Sequence, residues 1–168
     1  MGRMPLESVR LKAVLPASAD RIYAAWLDSG GHSRMTGGKA SVDPNVGGEY
    51  SAWDGYIEGK TLELEPGRRI VQSWRSSDFP LAAGDSRLEV HLLDVPGGCE
   101  ITIIHNEIPE GQGAQYESGW RTHYLEPMRK YFGKAKAKKK AVPKKPKKTA
   151  KKPAAKKRAA KKKAKRRR

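Results

Sequence analysis

The alternation of apolar and polar residues divides the first 133 residues into recognisable elements. Ser8 to Leu15 alternates at the two-residue period of a strand and stops at Pro16. Ser18 or Asp20 then stands where a helix cap belongs, and Ile22, Tyr23, Trp26 and Leu27 follow at helical spacing. Gly30-Gly31 is expected to stop that helix, with a short second one over His32 to Met35. Strand signals then repeat over Lys39 to Val42, Gly48 to Asp54, Tyr56 to Leu64, Arg69 to Ser76, Ser86 to Leu93 and Cys99 to Asn106. Pro66-Gly67, Phe79 to Gly84 and Pro96-Gly97-Gly98 separate the later strands with turn chemistry. Connections this short predict an antiparallel meander.

Period-two burial predicts one inward face. Leu88, Val90 and Leu92 share it, as do Ile101, Ile103 and His105, and Ile70, Gln72 and Trp74. Ala114 to Phe132 changes period: Tyr116, Trp120, Tyr124, Met128 and Tyr131 recur every three or four residues, an aromatic stripe along one long helix. Pro127 is expected to kink that helix or divide it. The order is strand, helix, a run of strands, then a long helix. It predicts an α+β fold, a curved antiparallel sheet of six or seven strands wrapped around the C-terminal helix.

Composition changes the picture at the C-terminus. Of the chain's 35 Lys and Arg, 17 Lys and 4 Arg lie in residues 134–168, where there is no acid. That segment carries +21. Residues 1–133 hold the other 14 basic residues against all 18 acids and carry −4, for a total of +17. The segment has one Val and no Leu, Ile, Phe, Tyr or Trp, so it buries too little apolar surface to offset chain entropy. Domain boundaries are therefore expected at 1–133 and 134–168, the second part a disordered Lys/Ala/Pro tail. It resembles the tails of linker histones and bacterial histone-like proteins.

Such a tail is expected to bind DNA or RNA by counterion release, without reading sequence. The contacts would come from Lys138, Lys139, Lys140, Lys144, Lys145, Lys147, Lys148, Lys151 and Lys152. They continue through Lys156, Lys157, Arg158, Lys161, Lys162, Lys163, Lys165, Arg166, Arg167 and Arg168. Lys predominates and Asn, Gln and aromatics are missing, which argues against base reading and stacking. The rival readings are a solubilising tail, a nuclear-import signal and attraction to anionic membrane. The last is disfavoured because no large apolar or aromatic side chain is there to insert.

Other chemistry is sparse. The lone Cys99 allows no intrachain disulfide and has no neighbouring cation to activate it. His32, His91, His105 and His123 show no ligand spacing, so neither metal nor cofactor is expected. No stretch reaches the ~20 apolar residues of a membrane span, and no signal peptide is evident. The expectation is a cytoplasmic, nucleoid-associated protein, or a nuclear one in a eukaryote.

Several motifs occur together: Tyr23-Ala-Ala-Trp26, His32-Ser-Arg-Met-Thr-Gly37-Gly38, Val46-Gly-Gly-Glu-Tyr50 and Trp53-Asp-Gly-Tyr56-Ile-Glu-Gly59. Arg69 to Arg75, His105 to Pro109, and Gly119-Trp120 through Pro127-Met128 to Tyr131-Phe132 complete the set. Over Leu6 to Phe132 the chain resembles the START-like (SRPBCC) superfamily, in the branch related to the C-terminal domain of the Hsp90 ATPase activator. The resemblance implies a helix-grip fold with a cavity between helix and sheet, open in many relatives to an apolar small molecule. Candidate lining residues are Trp26, Met35, Trp53, Gln72, Trp74, His105, Trp120, Tyr124 and Met128. Ordinary core packing is the alternative for most of them. Gln72 and His105 stand apart as inward polar groups that require a partner. The eukaryotic activator also has a separate N-terminal domain, for which there is no room before residue 6. The resulting expectation is a non-enzymatic domain that binds an apolar ligand or a partner protein. The rivals are a co-chaperone-like regulator of an Hsp90-type ATPase and a cavity enzyme or carrier.

Overall fold

Residues 5–141 are described by the computed structural model, and the chain divides into a unit of Met1–Lys136 and a second of Ala137–Arg168. Alternating burial makes Leu6–Leu15 strand β1, two residues longer at its start than the sequence pattern predicts. Helix α1 (Ala19–Trp26) begins where the Ser18 hydroxyl accepts from the Arg21 amide at 3.2 Å. The Asp94 carboxylate satisfies the Ala19 amide at 2.8 Å. Gly30-Gly31 does not stop this helix. The break falls at Leu27-Asp28, and both glycines lie inside α2 (Ser29–Thr36). There the Asp28 carboxylate accepts from the Gly31 amide at 2.7 Å. A side-chain cap that fixes a helix start outweighs the poor helix propensity of two glycines.

Six strands follow: β2 (Ser41–Val42), β3 (Glu49–Ala52), β4 (Ile57–Glu65), β5 (Arg69–Ser76), β6 (Ser86–Val95) and β7 (Gly98–Pro109). With β1 they form one antiparallel seven-stranded sheet in the order β1-β7-β6-β5-β4-β3-β2. Two bulges adjust the register. One sets Thr61 and Glu63 against Gln72 and Val71, leaving Leu62 as the extra residue. The other falls between Glu7 and Val9 on β1, opposite Glu107, whose φ is 62°.

The inner face carries Ile70, Gln72, Trp74, Leu88, Val90, Leu92, Ile101, Ile103 and His105, all buried. The outer face is charged. Arg69 bonds Glu63 at 2.9 Å and Glu65 at 3.2 Å, and Arg87 bonds Glu89 at 3.1 Å. Val71, paired with Glu63 and Glu89, is buried on that outer face beneath this network.

The expected single C-terminal helix has three parts: α3 (Gly113–Gly119), a π-helical segment (Trp120–Leu125) and α4 (Glu126–Ala141). Pro127 explains the wide turn. It has no amide to bond back to the preceding turn, and its ring crowds the carbonyl four residues before it. The Glu126 amide instead reaches the Arg121 carbonyl, five residues back. The wide turn also corrects a drift. Residues four apart on an α-helix rotate about 40° per step. The π segment turns less per residue, and so Tyr116, Trp120, Tyr124, Met128 and Phe132 all stay buried on one side. Phe132, not Tyr131, completes the stripe. Helix α4 continues to Ala141, eight residues past the expected boundary at 133, through a run of strong helix-forming Lys and Ala.

Candidate functional site

An open groove of about 590 Å³ runs between the α3–π surface and the β3–β4 turn. Its walls are aromatic: Trp53, Tyr56, Trp74, Tyr116, Trp120 and Tyr124, with His123 at one side. Ile57, Gln115, Ser118, Gly119 and Thr122 complete the lining. Four of the candidates from sequence therefore meet there: Trp53, Trp74, Trp120 and Tyr124. Trp26, Met35, Gln72, His105 and Met128 do not line it. They are buried in the core behind the aromatic wall. Period-two and period-four patterns report which residues point inward, and cannot separate an exposed wall from the packing behind it.

The core polar groups are satisfied by one another. The Trp26 indole donates to Gln72 Oε1 at 3.2 Å, and Gln72 Nε2 donates to Thr61 Oγ1 at 3.1 Å. The Trp120 indole donates to His105 Nδ1 at 3.1 Å, which fixes the tautomer: the proton sits on Nε2 and is donated to Ser86 Oγ at 2.8 Å. Ser86 passes its own proton to the Trp74 carbonyl at 2.7 Å. Burial pushes the His105 imidazole down to about 3, so it is neutral at physiological pH. His32 forms a parallel set. Its Nδ1 donates to the Trp26 carbonyl at 2.9 Å, and its Nε2 accepts from the Tyr124 hydroxyl at 2.8 Å. Desolvation lowers the pKa of His32 and raises that of Tyr124. Both networks anchor a groove residue, Trp120 in one and Tyr124 in the other.

One end of the groove is tied shut by polar contacts. Asp78 Oδ2 accepts from the Tyr56 hydroxyl at 2.7 Å and from Gln115 Nε2 at 3.0 Å. The Tyr116 hydroxyl donates to Gln112 at 2.6 Å and lies 2.5 Å from Ser76 Oγ. At the other end Trp53 and Asp54 adopt left-handed backbone, with φ of 51° and 57°. Residues held there cost of order 1–3 kcal/mol each. The Trp53 indole lies against Gly38, where a Cβ would come within 2.4 Å of the ring. The His123 ring meets it edge-on at 5.2 Å. Among the described residues, Trp53 Nε1 is the one buried side-chain polar atom without a hydrogen-bond partner.

No Asp, Glu, Lys, Arg or Cys lines the groove. Both buried histidines are engaged at both nitrogens behind the wall, His105 with Trp120 and Ser86 and His32 with Trp26 and Tyr124. Burial raises the pKa of Cys99, and its thiol is also away from the groove. Among the described residues no group of three or more His, Cys, Asp or Glu is placed to hold a metal ion.

The sequence pattern of the family described as Activator of Hsp90 ATPase homolog 1-like protein matches residues 16–133, which carry the whole groove. The chain belongs to this family. The AHSA1-type domain is 23% identical over 131 residues to the human activator of 90 kDa heat shock protein ATPase homolog 1. That match spans 78% of this chain but 38% of the human protein, so the chain covers well under half of the curated relative. An HSP90 activator from Plasmodium falciparum superimposes with a TM-score of 0.67 at 24% identity, covering 75% of this chain and 96% of that one. A protein from Chromobacterium violaceum gives a TM-score of 0.60 at 27% identity, covering 73% and 94%.

Sequence reasoning missed Tyr56, Tyr116, Gly119 and His123 as groove residues of the AHSA1-type domain. Tyr56 follows a glycine turn that appeared to be a break between strands. His123 lies on the exposed side of the stripe, which the π turn rotates toward Trp53. The nucleic-acid candidates divide: Lys138, Lys139 and Lys140 fall on the backbone of α4, and Lys144 through Arg168 lie outside the described residues. No helix among the described residues is long and apolar enough to cross a membrane.

Proposed function

We propose that this chain combines two binding functions and catalyses no reaction. Its AHSA1-type domain receives an apolar, ring-bearing ligand in the aromatic groove. Its Lys-rich segment holds the chain on DNA or RNA by charge alone. The observation that carries the first part is the groove itself, about 590 Å³ walled by six aromatic side chains from the β3–β4 turn, β5, α3 and the π segment. Volumes in this range accept drug-sized molecules, and aromatic walls with a few polar groups are what such ligands require. Gly119 keeps the space open: a Cβ built there meets nothing within 4 Å. The second part rests on composition, 21 basic residues and no acid in residues 134–168.

Gly119 supplies the test. Its backbone is helical, with φ −62°, so a larger side chain is sterically admissible. Gly119→Leu fills the groove and is expected to leave stability unchanged or raised by up to about 1 kcal/mol, because leucine is the better helix former. The probe is N-phenylnaphthylamine, which is neutral and so indifferent to the basic segment. Its fluorescence rises with the wild-type chain and stays flat with Gly119→Leu. No rise with wild type, or an equal rise with both, contradicts the groove reading.

A second reading, regulation of an Hsp90-type ATPase, is supported by family membership and by the likeness to the human activator. Its measure is ATP turnover by an Hsp90-type chaperone titrated with the full chain. Turnover unchanged through molar excess disposes of it.

A further inference from the structure

We propose that Trp53 is the specificity-determining donor of the groove, and that the preferred ligand carries a hydrogen-bond acceptor, a ketone-type carbonyl, on its ring system. The inference rests on the groove reading above and adds to it. Three independent features converge on this one indole. Its residue and the next occupy left-handed backbone without being glycine. Its ring occupies space that only a glycine at position 38 leaves free. Its Nε1 is buried and without a partner, whereas the indoles of Trp26 and Trp120 donate to Gln72 and His105. Strained backbone persists where the surroundings impose it, and such residues gather at ligand clamps. A buried donor left unpaired is unfavourable until something accepts from it.

The chemistry of the wall narrows the class of ligand. The polar groups near the closed end, Tyr56, Gln115 and Tyr116, bond protein partners, whereas Trp53 Nε1 at the other end bonds none. No Lys or Arg lines the groove to favour a carboxylate, so a neutral carbonyl fits better than an anion. The His123 side chain is exposed on the π segment and borders the same indole. Its rotation is the movement that admits an acceptor to Nε1.

Two matched probes test this on the full chain. Acetylnaphthalene presents a carbonyl, and isopropylnaphthalene has the same shape without one. The expected result is about tenfold tighter binding of acetylnaphthalene, as for one well-placed buried hydrogen bond. Its addition moves the Trp53 indole N–H resonance downfield in a nitrogen–proton correlation spectrum, and isopropylnaphthalene leaves that proton in place. Trp53→Phe removes the preference between the two probes, whatever its effect on the affinity for either. Equal affinity for both probes with an unmoved Trp53 resonance overturns the proposal and leaves the groove reading intact. Failure of both probes to bind overturns both. The spectral readout uses only the wild-type chain, so it holds whether or not Trp53→Phe folds.

Discussion

His105 lies between the sheet and the π segment, and both of its nitrogens are committed. Replacing it with leucine leaves the buried Trp120 indole N–H without an acceptor. A loss of about 1–3 kcal/mol is expected, read from urea unfolding at pH 7. The histidine also predicts a pH response. Its basicity is depressed in the fold, to about 3, against an ordinary value near 6.5. Below about pH 6.5 the unfolded chain takes up a proton that the folded chain refuses. Stability is therefore present in full above that pH and falls as pH drops toward 3, by up to about 1.4 kcal/mol per pH unit. His32, lowered in the same direction, adds to the effect. The His105→Leu variant is less stable at neutral pH but has a shallower stability–pH slope between 6.5 and 3. Parallel slopes for variant and wild type contradict the assignment.

Single positions also decide whether elements fit together. Gly59 on β4 faces the Ser73 carbonyl of β5, and a Cβ there would lie 2.0 Å from that oxygen. The Tyr50 hydroxyl donates to the same carbonyl at 2.7 Å. Gly59→Ala forces the strands apart and is expected to cost about 1–3 kcal/mol in thermal or denaturant unfolding. Wild-type stability in that variant contradicts this contact. At Pro127, substitution by alanine restores an amide and allows the wide turn to relax toward an α-helix. Trp120 and Tyr124 would then rotate relative to Met128. The aromatic near-ultraviolet dichroism is expected to change while the far-ultraviolet helix signal holds. An unchanged near-ultraviolet spectrum shows that the proline does not set the turn.

These two cases mark what was legible. The seven strands were readable from strand-prone runs between turn residues, and alternation marked the buried face of β5, β6 and β7. The bulge at Leu62 and the π turn were not. Both are single-residue register changes, and they appear only when a neighbouring element fixes the register. The aromatic stripe identified the element that bears the groove, yet which rings face the opening depended on the unseen turn. Trp53 was legible as a lining candidate, but its unpaired donor was not, because its surroundings include Gly38 and His123, distant in sequence.

At the scale of the whole molecule, charge is sharply divided along the chain. Residues 1–133 carry −4 and residues 134–168 carry +21. That division was fully legible, because net charge is a matter of composition and needs no fold. Thirty-five residues reach on the order of 115 Å when extended, several turns of a duplex. On the proposed reading, residues 1–133, with their net negative charge, add nothing to binding of a polyphosphate. A labelled duplex titrated with the full chain, and with a chain ending at Gly133, across a series of KCl concentrations tests this most directly. If half of the basic side chains engage, log K for the full chain falls against log salt with a slope of about −9, and the shortened chain does not bind. Equal binding by both chains, or affinity indifferent to salt, contradicts it.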